Sequence, residues 1–115
     1  MLRAQRRLPY GTMSRIESLR RDQLNARVVA ASRVASLALE HLRARGIDAS
    51  LIGSLKSGGF GPDSDIDFLV TRCPANLVYA VEAELEDIMG GFRFDVTYLN
   101  LVPEDKRERW LAHAR

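Results

Sequence analysis

Apolar residues recur at intervals of three and four along the first third of the chain. Leu24, Val28, Ala31, Val34, Ala38 and Leu42 form the cleaner stripe. Ile16, Leu19, Gln23, Ala26, Ala30, Arg33 and Leu37 form a second, mixed one. Both spacings predict an amphipathic helix. Ser14, followed three residues later by Glu17, makes a capping box, and Gly46 is a stop signal. The helix is therefore expected from Ser14 to about Arg45, long enough that a break near Asp22 to Asn25 is anticipated. Leu8-Pro9-Tyr10-Gly11-Thr12 carries chain breakers. Residues 1–13 are accordingly expected to be a basic disordered arm or an over-extended start, with Met13 as an alternative initiator.

The pattern then changes. Asp48-Ala49-Ser50-Leu51-Ile52 predicts a short strand, Leu55-Lys56-Ser57 a helical turn, and Gly58 to Pro62 a flexible loop. Asp65 to Thr71 is apolar and β-rich, a second strand. Pro74 opens a helix whose stripe is Leu77, Val81, Leu85, Ile88 and Met89, closed by Gly90-Gly91. Phe92 to Leu99 is a third strand, and Pro103 starts a last helix through about Ala112. This order predicts an α/β (α+β) domain, a small mixed β-sheet with helices on one face. Residues 14–115 are expected to form a single domain.

Composition narrows the class without changing the fold. The chain has 115 residues, 46% hydrophobic and 28% charged, as in ordinary globular proteins. Its net charge of +2 is unevenly spread. Met1 to Ile47 holds ten Arg and three acids, a net of +7; Asp48 to Arg115 holds seven Lys or Arg and twelve acids, a net of −5. The basic half could face an acidic partner, but a solvated Arg-rich helix face is the simpler reading, and direct nucleic-acid binding is not expected. One cysteine, Cys73, excludes an internal disulfide and suits a cytoplasmic location. No apolar run reaches the roughly 20 residues of a membrane span.

The chemistry begins with two misplaced charges. Asp is a poor strand former, yet Asp65 and Asp67 flank Ile66 inside an apolar run. Alternate strand residues share a face, so both carboxylates point the same way. Their repulsion, worsened by burial, is relieved by a cation, and carboxylate oxygens are the donors magnesium prefers. Asp95 repeats the anomaly between Phe94 and Val96. Paired beside the second strand it reaches the same site, and three carboxylates suffice for two divalent ions. Upstream, Gly53-Ser54 joins a strand to a helical start, which suits phosphate through free backbone N–H groups and the Ser54 hydroxyl. Each piece has a plainer reading. Gly-Ser is common in turns, Asp-x-Asp before a strand can be solvated, and Asp95 could pair with Arg93 or Arg72.

Gly53-Ser54, ten further residues, then Asp65-Ile66-Asp67, with Asp95 on a later strand, resembles the minimal nucleotidyltransferase (MNT) group of the DNA-polymerase-β superfamily. The run Pro62-Asp63-Ser64-Asp65-Ile66-Asp67 is similar to that group's approach to its metal strand, and Gly58 matches a usual glycine. The resemblance covers about Asp48 to Ala112. It implies a nucleotidyltransferase-like fold and transfer of AMP from ATP, with two Mg2+ ions. Asp65, Asp67 and Asp95 would be the catalytic, metal-binding residues; Gly53, Ser54, Lys56 and Ser57 would hold the triphosphate. Where many relatives carry a basic residue first or third after Gly-Ser, this chain has Leu55 and Ser57, with Lys56 between.

Stand-alone MNT proteins of this size resemble antitoxins of HEPN–MNT toxin–antitoxin pairs, which attach AMP to a tyrosine of a helical RNase toxin. That resemblance implies a helical partner protein as acceptor. Two alternatives stand beside it: a non-catalytic antitoxin acting by direct binding, and a transferase for an aminoglycoside-like small molecule completed by a partner chain. His41 and His113 lack metal-ligand spacing. Trp110 falls at helical spacing from Lys106, which predicts core or interface packing. Arg20, Arg21, Arg27 and Arg33 are expected on a solvated face.

Overall fold

The computed structural model describes the backbone from Leu2 to Arg115 and the side chains from residue 14 onward. Helix α1 spans Leu2–Ala44. It is continuous through Asp22 to Asn25, because no Gly or Pro interrupts the chain from Thr12 to Arg45. Ser14 lies within the helix, so the capping box does not start it. The arm expected at residues 1–13 falls outside the residues described in full.

The cleaner stripe is the buried one. Ala31, Ala35, Ala38 and Leu42 are fully buried, with Val28, Val34 and Leu39 at their margin. Their small side chains let α1 lie close to the sheet. Residues 14–23 are all exposed, so the N-terminal half of α1 projects beyond the body. A helix of 43 residues is about 65 Å long, which accounts for the molecule's 71 Å extent.

Strands β1 (Asp48–Ile52), β2 (Ile66–Arg72) and β3 (Phe94–Tyr98) form one sheet in the order β1-β2-β3. β1 and β2 are antiparallel; β2 and β3 are parallel. A parallel pair needs a crossover, supplied here by helix α3 (Val78–Met89). β2 is central, so Ile66, Phe68, Leu69 and Val70 are buried on both of its faces. Ile66, Phe68 and Val70 join α1 and the Val81, Leu85 and Met89 stripe of α3 in the main core. Burying each such large side chain contributes about 1.5–3 kcal/mol.

The structure is thus the expected mixed α+β domain, with differences at element ends and in the last helix, which lies on the sheet face opposite α1 and α3 rather than on one shared face. Helix α2 (Gly53–Ser57) starts directly after β1, two residues before the expected turn. Pro74 precedes a 3-10 turn, Ala75–Leu77, rather than opening α3 itself. Pro103 likewise precedes a 3-10 turn, Glu104–Lys106, before helix α4 (Arg107–Ala114). Proline fixes φ without committing the next turn to α geometry. β3 begins at Phe94, and Leu99 already belongs to a 3-10 turn. α4 contacts β1 and faces the side of the sheet that carries Asp67 and Asp95, opposite α1 and α3.

Two long-range links brace this frame. Glu84 of α3 accepts from His41 Nε2 of α1 at 2.6 Å and from Nη2 of Arg45, just past the end of α1, at 3.0 Å. The loop at residues 58–62, expected to be flexible, is anchored: Phe60 is only 5% exposed and belongs to the core. The Arg27 guanidinium lies 5.5 Å from the Phe60 ring centre and 5.0 Å from that of Phe92. Arg27 is therefore half-buried between two aromatic faces rather than solvated.

Candidate active site

Strand register assembles the site. Asp67 pairs with Ile52 on one side and with Asp95 on the other. Paired residues share a face, so the two carboxylates stand side by side on the face opposite the main core. Because β1 runs antiparallel into β2, Gly53 arrives directly over Asp67. A Cβ on Gly53 would lie 2.2 Å from Asp67 Oδ2, and the residue has φ +76°. Only glycine fits that position on both counts.

The pair is electrostatically loaded. Burial pushes the Asp67 carboxyl above its ordinary value, and Asp95 and then Asp65 push it further. Asp95 is exposed at the rim. Asp65 stands one residue before β2, its side chain toward Arg93. Arg93 Nε lies 3.1 Å from its Oδ1, and Arg93 Nη2 also donates to the Asp63 carbonyl. The Nε–H is not aimed at Oδ1, however, and that oxygen is shielded from solvent without a hydrogen-bond partner. Asp65 lines a separate depression with Glu86 and Arg93.

Asp67 and Asp95 are therefore brought together, with Asp65 beside them but turned toward Arg93. Among the described residues no three His, Cys, Asp or Glu side chains converge as a formed metal centre. The donor set nonetheless fits a hard divalent cation. It is all oxygen, and it holds an in-register pair of like charges. A third ligand requires the Asp65 side chain to turn from Arg93.

The expected triphosphate residues divide. Gly53 and Ser54 form the first turn of α2, with no side-chain cap on it. The Ser54 carbonyl closes that turn, accepting from Gly58 N and Gly59 N, both at 2.9 Å, and from Ser57 Oγ at 3.4 Å. Lys56 leaves the site: its Nζ donates to the carbonyls of His113 at 3.0 Å and Arg115 at 2.9 Å. The lysine thus fastens α2 to the end of α4, where carbonyls lack helical partners.

Above the carboxylates is a cavity of about 490 Å³. Gly53, Asp67 and Asp95 form its floor; Arg109, Trp110 and His113 of α4 form a wall. Sequence reasoning assigned Trp110 to core or interface packing and found no metal-ligand spacing at His113, and missed their convergence on the carboxylates. The available signal was their spacing: 109, 110 and 113 share one face of α4. Cys73 lies at the far end of β2, and burial pushes its thiol up, away from nucleophilic use at neutral pH.

Comparison of the chain with protein-family models, with curated proteins and with solved structures returned no match.

Proposed function

We propose that this protein is a metal-dependent nucleotidyltransferase that moves AMP from ATP to a hydroxyl of a partner protein, in the manner of an MNT antitoxin acting on a tyrosine of a HEPN RNase toxin. The observation that carries the reading is the in-register Asp67–Asp95 pair on the floor of a cavity, with Gly53 packed against Asp67. Asp67 and Asp95, joined by Asp65 once it turns from Arg93, would hold Mg2+. Bound there, Mg2+ would neutralise charge on the attacking and leaving oxygens.

The chain's own residues supply the rest. Gly53 and Ser54 orient the triphosphate by backbone N–H groups and the Ser54 hydroxyl. The acceptor oxygen forms a bond to the α-phosphorus as the α–β bridge bond breaks and pyrophosphate leaves. Asp95, exposed at the rim, is positioned to take the acceptor's proton. Lys56 and Ser57 drop out of the triphosphate's first contacts, since Lys56 binds the end of α4 and Ser57 closes its own turn.

A protein acceptor is favoured by α1. Ile16, Leu19, Val29 and Leu37 are 44–56% exposed along it, more apolar display than an isolated helix face needs. No helix among the described residues is long and apolar enough to cross a membrane. A cytoplasmic location belongs to the same proposal.

Intact-mass analysis of a co-expressed helical partner tests the reading. The expected result is a gain of AMP units that disappears in Asp65→Ala/Asp67→Ala; no gain with the unaltered chain would sink it. A binding-only antitoxin is the second reading, supported by the Asp65–Arg93 contact and the withdrawal of Lys56. It predicts toxin inhibition that survives the double substitution with no mass change.

A further inference from the structure

An AMP donor carries a base and three phosphates, and both need protein groups that the Gly-Ser turn lacks. The positions flanking Lys56 are Leu55 and Ser57, and Lys56 itself is engaged with the carbonyls of α4. The cavity does contain a cation and an aromatic plane, and both come from α4. Arg109 is exposed and lines it; Trp110 is half-buried and lines it one residue on. A cavity of about 490 Å³ is the size of a small-ligand site and too small for a folded acceptor. An indole face stacks on any nucleobase, and a guanidinium matches phosphate oxygens in a two-pronged contact.

We infer that α4 is the nucleotide-binding wall of this site, with Trp110 stacking on the base and Arg109 pairing with the phosphates. The inference rests on the nucleotidyltransferase reading and adds the residues that recognise its substrate. It assigns the phosphate-neutralising charge to the opposite wall of the cavity from the Gly-Ser turn. Lys56, by fastening α2 to α4, holds the two walls together.

Trp110 is the single tryptophan, so its emission reports on this wall alone. The experiment titrates the full chain with ATP and with inorganic tripolyphosphate, each with Mg2+, following indole fluorescence and calorimetric heat together. ATP is expected to quench the indole, and tripolyphosphate to bind without quenching. Trp110→Ala should weaken ATP on the order of tenfold and leave tripolyphosphate unchanged, with Trp110→Phe close to the parent. Arg109→Gln should weaken both ligands on the order of tenfold, with circular dichroism checking the fold of every variant. ATP that binds by heat with no change in emission, and equally well to Trp110→Ala and Arg109→Gln, overturns the inference and leaves the nucleotidyltransferase reading intact. Absence of heat with either ligand at any Mg2+ concentration overturns both.

Discussion

At the residue scale the informative contact is Gly53 against Asp67. A methyl group at position 53 meets Asp67 Oδ2 at 2.2 Å and also demands a left-handed backbone of a residue with a Cβ. Gly53→Ala is expected to cost at least about 1–2 kcal/mol, from the backbone conformation alone. Urea denaturation measures it, and an unchanged midpoint would contradict the packing described. Asp67 works in the opposite sense. Its folded-state carboxyl is held above the ordinary 3.8 by burial and by its neighbours. Its contribution to stability is therefore fully present below that value and is lost as pH rises through the raised one. At neutral pH the charge opposes folding. Asp67→Asn is expected to raise Tm at pH 7 by a few degrees and to abolish any rise in Tm that Mg2+ gives the unaltered protein. Thermal scans with and without Mg2+ decide this, and a lower Tm would count against it.

At the scale of elements, α1 and α3 are tied through Glu84, and α2 and α4 through Lys56. Hydrogen bonding from His41, with the nearby Arg45 charge, holds the Glu84 carboxyl below its ordinary value against a smaller opposing effect of desolvation. A depressed acid contributes stability above the unfolded value, here 4.5, and loses it as pH falls through the lower folded value. The acid limb of the stability curve should flatten in Glu84→Gln; an identical limb would show that the ion pairs are idle. Lys56→Met removes both bonds to α4 carbonyls while keeping the aliphatic stem. Amide exchange in Arg107–Ala114 should then accelerate about tenfold, with β2 unaffected, because the helix end loses its only described side-chain anchors.

The whole molecule is a small body with a projecting helix. Its radius of gyration, 19.4 Å, exceeds the roughly 13 Å of a compact domain this size, and α1 is the reason. Asp67 and Asp95 lie on the face of the sheet turned away from α1; on the proposed function α1 docks the partner while only its acceptor hydroxyl reaches the cavity, so docking and nucleotide binding are separable. Leu19→Glu/Val29→Glu is expected to weaken partner binding at least tenfold while ATP affinity stays within twofold. Pull-down and calorimetry on the same preparation give both numbers. Loss of nucleotide binding in that variant would mean that the two surfaces are not independent.

Much of the frame was legible along the chain. The Leu24 to Leu42 stripe, the alternation from Asp65 to Val70 and the apolar face of α3 depend on neighbours two, three or four residues apart. Backbone geometry alone determines those relations. So the α+β class and the three strands follow from local pattern, whereas the shared face expected of Asp65 and Asp67 does not hold, because Asp65 stands before β2 and turns to Arg93. The site's working contacts do not follow from local pattern either. Asp67 beside Asp95, Gly53 over Asp67, Asp65 against Arg93, Lys56 on α4 and Arg27 between Phe60 and Phe92 join residues from 14 to 65 positions apart. Strand order, register and helix docking decide them, and no local periodicity encodes those. By itself the sequence determined which residues could carry the charge of the site. Only the tertiary structure decided that two of the three acids face one cavity, that the lysine after Gly-Ser is used elsewhere, and that α4 closes the wall. Register places side chains within ångströms of each other, whereas the chain between them is long enough to permit many other arrangements.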